Sequence, residues 1–270
     1  MSIELIVVFI SLGVIVGIMA GLFGIGGGGI LVPSLTAIFI FQGISKESVV
    51  HLALGTSMAC IALTSLSSMR AHHANGTVIW PLAKVMSIGM IIGTFGATFL
   101  VPYLSSKTLA VFFSVFMAYV SFRMFRKAKI NAQAAKINKT ELRLVTLGIG
   151  AVSALVSIGG GSLTVPYLTW RNINIRNAIA TSAALGFVIS IAGTLGYLIN
   201  GLLSVGSNGY NIGYTWGYIY LPAVLLISIP SYFTAPLGAK LTQKLPVQTL
   251  KKVFGILLIA LSLKMLFSIL

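Results

Sequence analysis

Two glycine-rich interruptions of apolar sequence are the places where this chain could do chemistry. They read Gly24-Ile25-Gly26-Gly27-Gly28-Gly29-Ile30-Leu31-Val32-Pro33 and Ile158-Gly159-Gly160-Gly161-Ser162-Leu163-Thr164-Val165-Pro166. Pro33 and Pro166 stand 133 residues apart, so the two runs mark corresponding points of two halves. Glycine lets the backbone leave a helix and approach a ligand that a side chain would hold off. Where a helix restarts inside a membrane, its first N–H groups lack intrahelical partners and carry the positive end of the helix dipole. Such ends attract anions. The amides from Gly27 to Ile30 and from Gly161 to Leu163 are therefore expected to converge on one ligand at the membrane midplane. Gly26, Gly27, Gly28 and Gly29 would act from one side, and Gly159, Gly160, Gly161 and Ser162 from the other. Tight helix packing also uses glycine. Two matched breaks, each followed by proline, instead favour the binding site of a transporter.

Hydroxyls add to this set. Gly55-Thr56-Ser57 and Ala180-Thr181-Ser182 repeat at an offset of 125 residues, and Thr56, Ser57, Thr181 and Ser182 can bond an oxyanion or a sodium ion. Bonding to a carbonyl one turn earlier is their plainer use, and the repeat lifts them above it. Catalytic chemistry is poorly supplied. The chain has no aspartate, and Glu4, Glu47 and Glu141 sit at expected span ends, so a carboxylate proton relay is excluded. Cys60 is the only cysteine, which rules out an internal disulfide and a cysteine metal cluster. His51 is read as an interfacial or packed residue able to take up a proton, and His72 and His73 as part of a solvated loop. No cofactor, no metal and no enzymatic activity are expected. The first glycine run is no dinucleotide fingerprint, because no strand precedes it.

The elements that must position these groups are membrane spans. The chain is 57% hydrophobic and 8% charged, with apolar runs long enough to cross a bilayer. Full spans are expected at about 49–69, 78–101, 108–125, 177–199, 216–239 and 250–270, and the glycine breaks fall in two further stretches, 3–42 and 142–170. Met1-Ser2-Ile3-Glu4 lacks the basic region of a signal peptide. The formal charge of +15 lies between apolar segments, where it orients the chain instead of binding nucleic acid. Arg171 and Arg176 fit the same role, and Trp80, Trp170 and Trp216 read as interfacial anchors.

The basic central linker, 127–141, is expected in the cytoplasm. If the second broken segment crossed the membrane once, basic residues would divide almost evenly between the two faces. If it turns back as a hairpin, all but Lys46, Lys107 and Lys264 fall on the cytoplasmic side, as the positive-inside rule requires. The hairpin makes the halves inverted repeats, 1–126 and 142–270, each a broken hairpin followed by three spans. The fold class expected is an all-α polytopic protein of the cell membrane, with both termini outside.

The breaks with their following Leu31-Val32-Pro33 and Val165-Pro166, together with the two Thr-Ser elements, resemble the TauE/SafE family of bacterial membrane transporters, also called the sulfite exporter family. The resemblance extends over essentially the whole chain. It implies movement of sulfite or an organosulfonate such as sulfoacetate, generally outward, by alternating access. A channel with glycine-rich selectivity breaks and a carrier of a different small solute remain open at this point. The second break departs from the first in having Ser162 where the first has Gly29, so the two sides of the site need not be equivalent.

Overall fold

A computed structural model of the chain describes residues 2–24, 26–125, 139–205, 213–244 and 247–269. Within them the protein is almost entirely helical. The first half comprises α1 (Ile3–Phe23), α2 (Gly28–Phe41), α3 (Val49–Ala74), α4 (Trp80–Thr98) and α5 (Ser106–Phe125), with a short 3₁₀ turn at Val101–Tyr103. The second half comprises α6 (Lys139–Val156), α7 (Gly161–Trp170), α8 (Ile175–Val205), α9 (Leu221–Lys244) and α10 (Val247–Ile269). A two-stranded ribbon, β1 (Thr215–Trp216) and β2 (Ile219–Tyr220), leads into α9.

Five of these helices, among the described residues, are long and apolar enough to cross a membrane: α1, α3, α4 (to Tyr103), α8 and α9. Their exposed apolar side chains, such as Ile15, Ile92, Leu195 and Phe233, suit hydrocarbon and would be costly in water. The protein is an all-α polytopic membrane protein. Helix α9 starts only at Leu221, so Trp216 belongs to the ribbon and not to the span. Helix α3 runs on to Ala74, which puts His72 and His73 in its last turn and not in a solvated loop. The helix continues because no glycine or proline intervenes before Gly76. Most of the central linker and part of the uncharged segment before Tyr214 lie outside the described residues.

Helix α1 packs along α9 and α6 along α4. Helix α3 packs on α9 and α8 on α4, while α2 lies on α3 and α7 on α8. The remaining large contacts, α3 with α8 and α5 with α10, join corresponding helices of the two halves. Exchanging α1–α5 for α6–α10 returns these pairings to themselves, while the contact of α2 with α10 is not repeated to the same extent by α7 with α5 among the described residues.

The α1–α9 contact is a backbone-to-backbone one. Gly13, Gly17 and Gly21, four residues apart, lie against the main chain of Ile227, Ser231 and Ala235. In the same way Gly89 and Gly93 of α4 lie against Arg143 and Leu147 of α6. Small residues at this spacing allow close helix approach, which replaces the hydrophobic drive that lipid removes.

Candidate functional site

Each break is a helix end followed by a helix start. Helix α1 stops at Gly24, whose N–H bonds Ala20 O at 2.9 Å in a left-handed cap. Gly27, at φ 85°, caps the start of α2, and its equivalent Gly160, at φ 75°, caps α7. A side chain at either position would be strained. The chain has by then doubled back along α1, since Gly27 lies against Val16. At the second break the left-handed position matching Gly24 is held by Ser157, at φ 48°. Its hydroxyl donates to Leu54 O of α3 at 2.8 Å, a tie between halves that offsets part of the roughly 1–2 kcal/mol of strain.

The two breaks touch. A methyl group added to Gly26 would lie 3.1 Å from Gly159 Cα, and one added to Gly28 would run into the carbonyl of Ser157. Both helix starts are therefore brought to one place deep in the protein, where Gly28, Gly29, Gly161 and Ser162 are all buried.

Neither start has a side-chain cap. The amides of Ile30 and Leu163 already bond Gly27 O and Gly160 O, at 3.0 and 3.1 Å. Among the described residues no backbone acceptor is found for the amides of Gly28 and Gly29 on one side or of Gly161 and Ser162 on the other. Pro33 and Pro166 occupy the sixth position of their helices. Lacking an N–H, they also leave the carbonyls of Gly29 and Ser162 without their i+4 donors. Buried helix ends without partners are costly unless a ligand or water supplies them.

The hydroxyls divide into two groups. Thr56 Oγ1 accepts from Tyr220 N–H at 3.0 Å, and Thr181 Oγ1 from Ile79 N–H at 3.1 Å. Each closes the start of the fourth helix of the opposite half, α9 or α4, and both oxygens are thus engaged with backbone. Ser182 Oγ faces Ile179 O and Gly24 O, at 2.8 and 3.3 Å, which ties α8 to the first break. Ser57, Ser162 and Thr164 are different, because their hydroxyls are buried with no partner among the described residues. Thr164 was not singled out in the sequence. Its place in the first turn of a helix that starts at a break was the available signal.

Two further residues hold the helix ends that feed the breaks. His72 Nε2 bonds Gly21 O at 3.0 Å, and Tyr197 O–H donates to Ala154 O at 2.8 Å. These are corresponding positions of the two halves, at the same offsets of 125 and 133 that relate the Thr-Ser elements and the breaks. The carbonyls concerned lie in the last turns of α1 and α6, where intrahelical donors run out. Tyr197→Phe is expected to lower stability by about 1 kcal/mol, read as an earlier thermal unfolding in detergent; an unmoved transition would mean the bond contributes nothing.

His51 is buried at the start of α3. Nδ1 lies 3.2 Å from Ser106 Oγ and Nε2 2.9 Å from Leu104 O, so the ring ties α3 to the turn before α5. Arg171 pairs with Glu141 and lies over the rings of Tyr167 and Trp170, at 5.6 and 5.2 Å from their centres. It thus fastens the outer ends of α6 and α7. Among the described residues, no group of three or more His, Cys, Asp or Glu side chains could hold a metal ion.

Comparison with known proteins gives a consistent result. Residues 9–265 match the family model described as sulfite exporter TauE/SafE. A probable membrane transporter protein of Haemophilus influenzae is 36% identical over 262 residues, covering 96% of this chain and 97% of that protein. One of Methanocaldococcus jannaschii is 30% identical over 244 residues, covering 89% and 88%. The probable membrane transporter protein YunE of Bacillus subtilis is 26% identical over 286 residues, covering 97% of each. No solved structure matches.

Proposed function

Because the chain belongs to the sulfite exporter TauE/SafE family of membrane transporters, we propose that it is a secondary transporter of a small oxyanion, sulfite or an organosulfonate such as sulfoacetate, held where the two breaks meet. The observation that carries this reading is the contact of Gly26 with Gly159, which brings two uncapped helix starts together in a buried place. Gly28, Gly29, Gly161 and Ser162 supply N–H donors there, and Ser57, Ser162 and Thr164 supply hydroxyls that have no other partner among the described residues. A sulfur oxyanion has several acceptor oxygens and full negative charge, matching convergent donors in a low-dielectric setting. Gly26, Gly27, Gly159 and Gly160 shape the backbone, while Thr56, Thr181 and Ser182 hold the surrounding helices.

The halves act as inverted repeats that rock about the ligand, outward export being the working direction. The self-matching set of helix pairings and the doubling-back of Gly27 along α1 support this arrangement. On the same reading the linker faces the cytoplasm and both termini the exterior. Membrane-impermeant labelling that reached Lys240 and Lys244 only from outside would overturn the topology.

Purified protein in liposomes should show saturable sulfite or sulfoacetate flux. Preloading the lumen with one anion should accelerate uptake of the other, because a carrier exchanges its substrates and an open pore does not. Ser162→Ala should weaken half-saturation roughly tenfold, the size of one charge-assisted hydrogen bond. Absence of saturable flux for any small oxyanion would reject the proposal, and flux without exchange would make the protein a channel.

A further inference from the structure

One face of α3 passes beside both breaks. Ser57, Ile61, Ser65 and Ser68 follow one another at spacings of four, four and three, which places them in a single stripe. Ile61 Cγ2 lies 2.8 Å from where a methyl on Gly26 would stand. Ser65 Oγ lies 3.2 Å from the corresponding point on Gly186, which itself is 2.6 Å from Gly159 O. The stripe therefore looks onto the junction of the breaks. Its three serines are at most 2% exposed, and the hydroxyls of Ser57 and Ser68 have no partner among the described residues.

The neighbouring face behaves differently. Ser67 there bonds Tyr232 O of α9, while Thr64, at the edge of the stripe seven residues from Ser57, is closed by Cys60 O and Ser231 Oγ, at 2.9 and 2.6 Å. The corresponding stripe of the other half, Ser182, Gly186, Ser190 and Gly193 on α8, is also closed. Ser182 bonds Ile179 O, Ser190 bonds Phe187 O at 2.9 Å, Gly186 lies on Gly159, and Gly193 lies on the sulfur of Met58. Of the two stripes, only that of α3 keeps hydroxyls unpartnered among the described residues.

A buried hydroxyl without a partner costs roughly 1–3 kcal/mol, and α3 carries that cost at both ends of a stripe about 16 Å long. A passing polar guest removes it. We propose that the α3 stripe is the path by which the transported anion moves between the breaks and the Arg70 end of α3, Ser57, Ser65 and Ser68 replacing its water in turn. The α8 stripe is the sealed counterpart. This inference rests on the transport reading above and adds the route to it.

The test uses the full chain with its single, buried cysteine Cys60 replaced by alanine. Single cysteines are then introduced as Ser57→Cys, Ser65→Cys, Ser68→Cys, Ser67→Cys and Ser190→Cys. In membranes opened to both sides, the anionic reagent 2-sulfonatoethyl methanethiosulfonate should modify the first three and leave Ser67→Cys and Ser190→Cys unmodified. All five should react after denaturation in detergent. Excess sulfoacetate, which unlike sulfite does not attack the thiosulfonate reagent, should slow modification of Ser65→Cys and Ser68→Cys about tenfold, as competition for one path at ten times the dissociation constant requires.

Separately, Ser68→Ala removes an oxygen without a partner among the described residues. It should raise thermal stability, since the buried unpaired hydroxyl is gone, and lower maximal sulfite flux by roughly tenfold. Wild-type flux in Ser68→Ala, or Ser65→Cys and Ser68→Cys that stay unmodified or unprotected while Ser57→Cys is protected, overturns the path and leaves the site at the breaks standing. Absence of saturable flux in the unaltered protein removes the transport reading, and the path with it.

Discussion

Gly28→Ala should abolish transport. The added methyl has no room, because it would meet the carbonyl of Ser157 and lie 3.1 Å from Ile158 Cα. These are main-chain atoms, which cannot turn aside as a flexible side chain can. Relief must come from moving α2 away from the second break, and overpacking of this kind costs about 1–3 kcal/mol. The stability loss is the smaller effect. Parting the breaks takes the Gly28 and Gly29 amides away from those of Gly161 and Ser162, so no single anion can meet both helix starts. A displacement near 1 Å at a site built on orientation can cost on the order of a hundredfold in rate.

Gly96→Ala is the matched control. An added methyl there meets nothing within 4 Å, and the site lies inside α4. Better helix propensity should make this variant up to about 1 kcal/mol more stable, with flux intact. Sulfite uptake and thermal unfolding measured on both proteins decide the matter. Gly28→Ala with wild-type half-saturation and flux would show that the breaks need not touch for transport.

Thr56→Val is expected to be the most damaging loss of a single hydroxyl. The substitution keeps the shape and removes the acceptor of the buried Tyr220 N–H, 164 residues away in the chain. A buried donor left unpaired costs about 1–3 kcal/mol. Tyr220 immediately precedes α9, which packs on both α1 and α3, so a loosened start is felt by two helices that frame the first break. Thr181→Val makes the equivalent change at Ile79, which is only half-buried, and should cost less because water can reach the freed N–H. Unfolding temperature in detergent should fall in the order Thr56→Val, then Thr181→Val, with half-saturation for sulfite nearly unchanged in whatever folded protein remains. The opposite pattern, full stability with weakened half-saturation, would return both threonines to the ligand role that their position in the sequence suggests.

The main features were legible in the chain because their causes are local. Runs of apolar residues specify helices of membrane length, glycine and proline interrupt them where backbone must leave the helix, and matching offsets reveal that the interruptions occur twice. The helix starts at Gly28 and Gly161 follow from those signals alone. What the tertiary structure decided was which groups remain free.

Thr56, Thr181, Ser57 and Ser182 are indistinguishable as sequence, yet the first two are consumed by distant amides, Ser182 by Gly24 and Ile179, and Ser57 by nothing among the described residues. His72 and Tyr197 share no chemistry in sequence beyond a polar ring, and become counterparts only when each is seen on a helix-end carbonyl. Composition and spacing determine which elements form and where they break. The partner of a hydroxyl depends on contacts between segments more than a hundred residues apart, and no local pattern encodes that pairing.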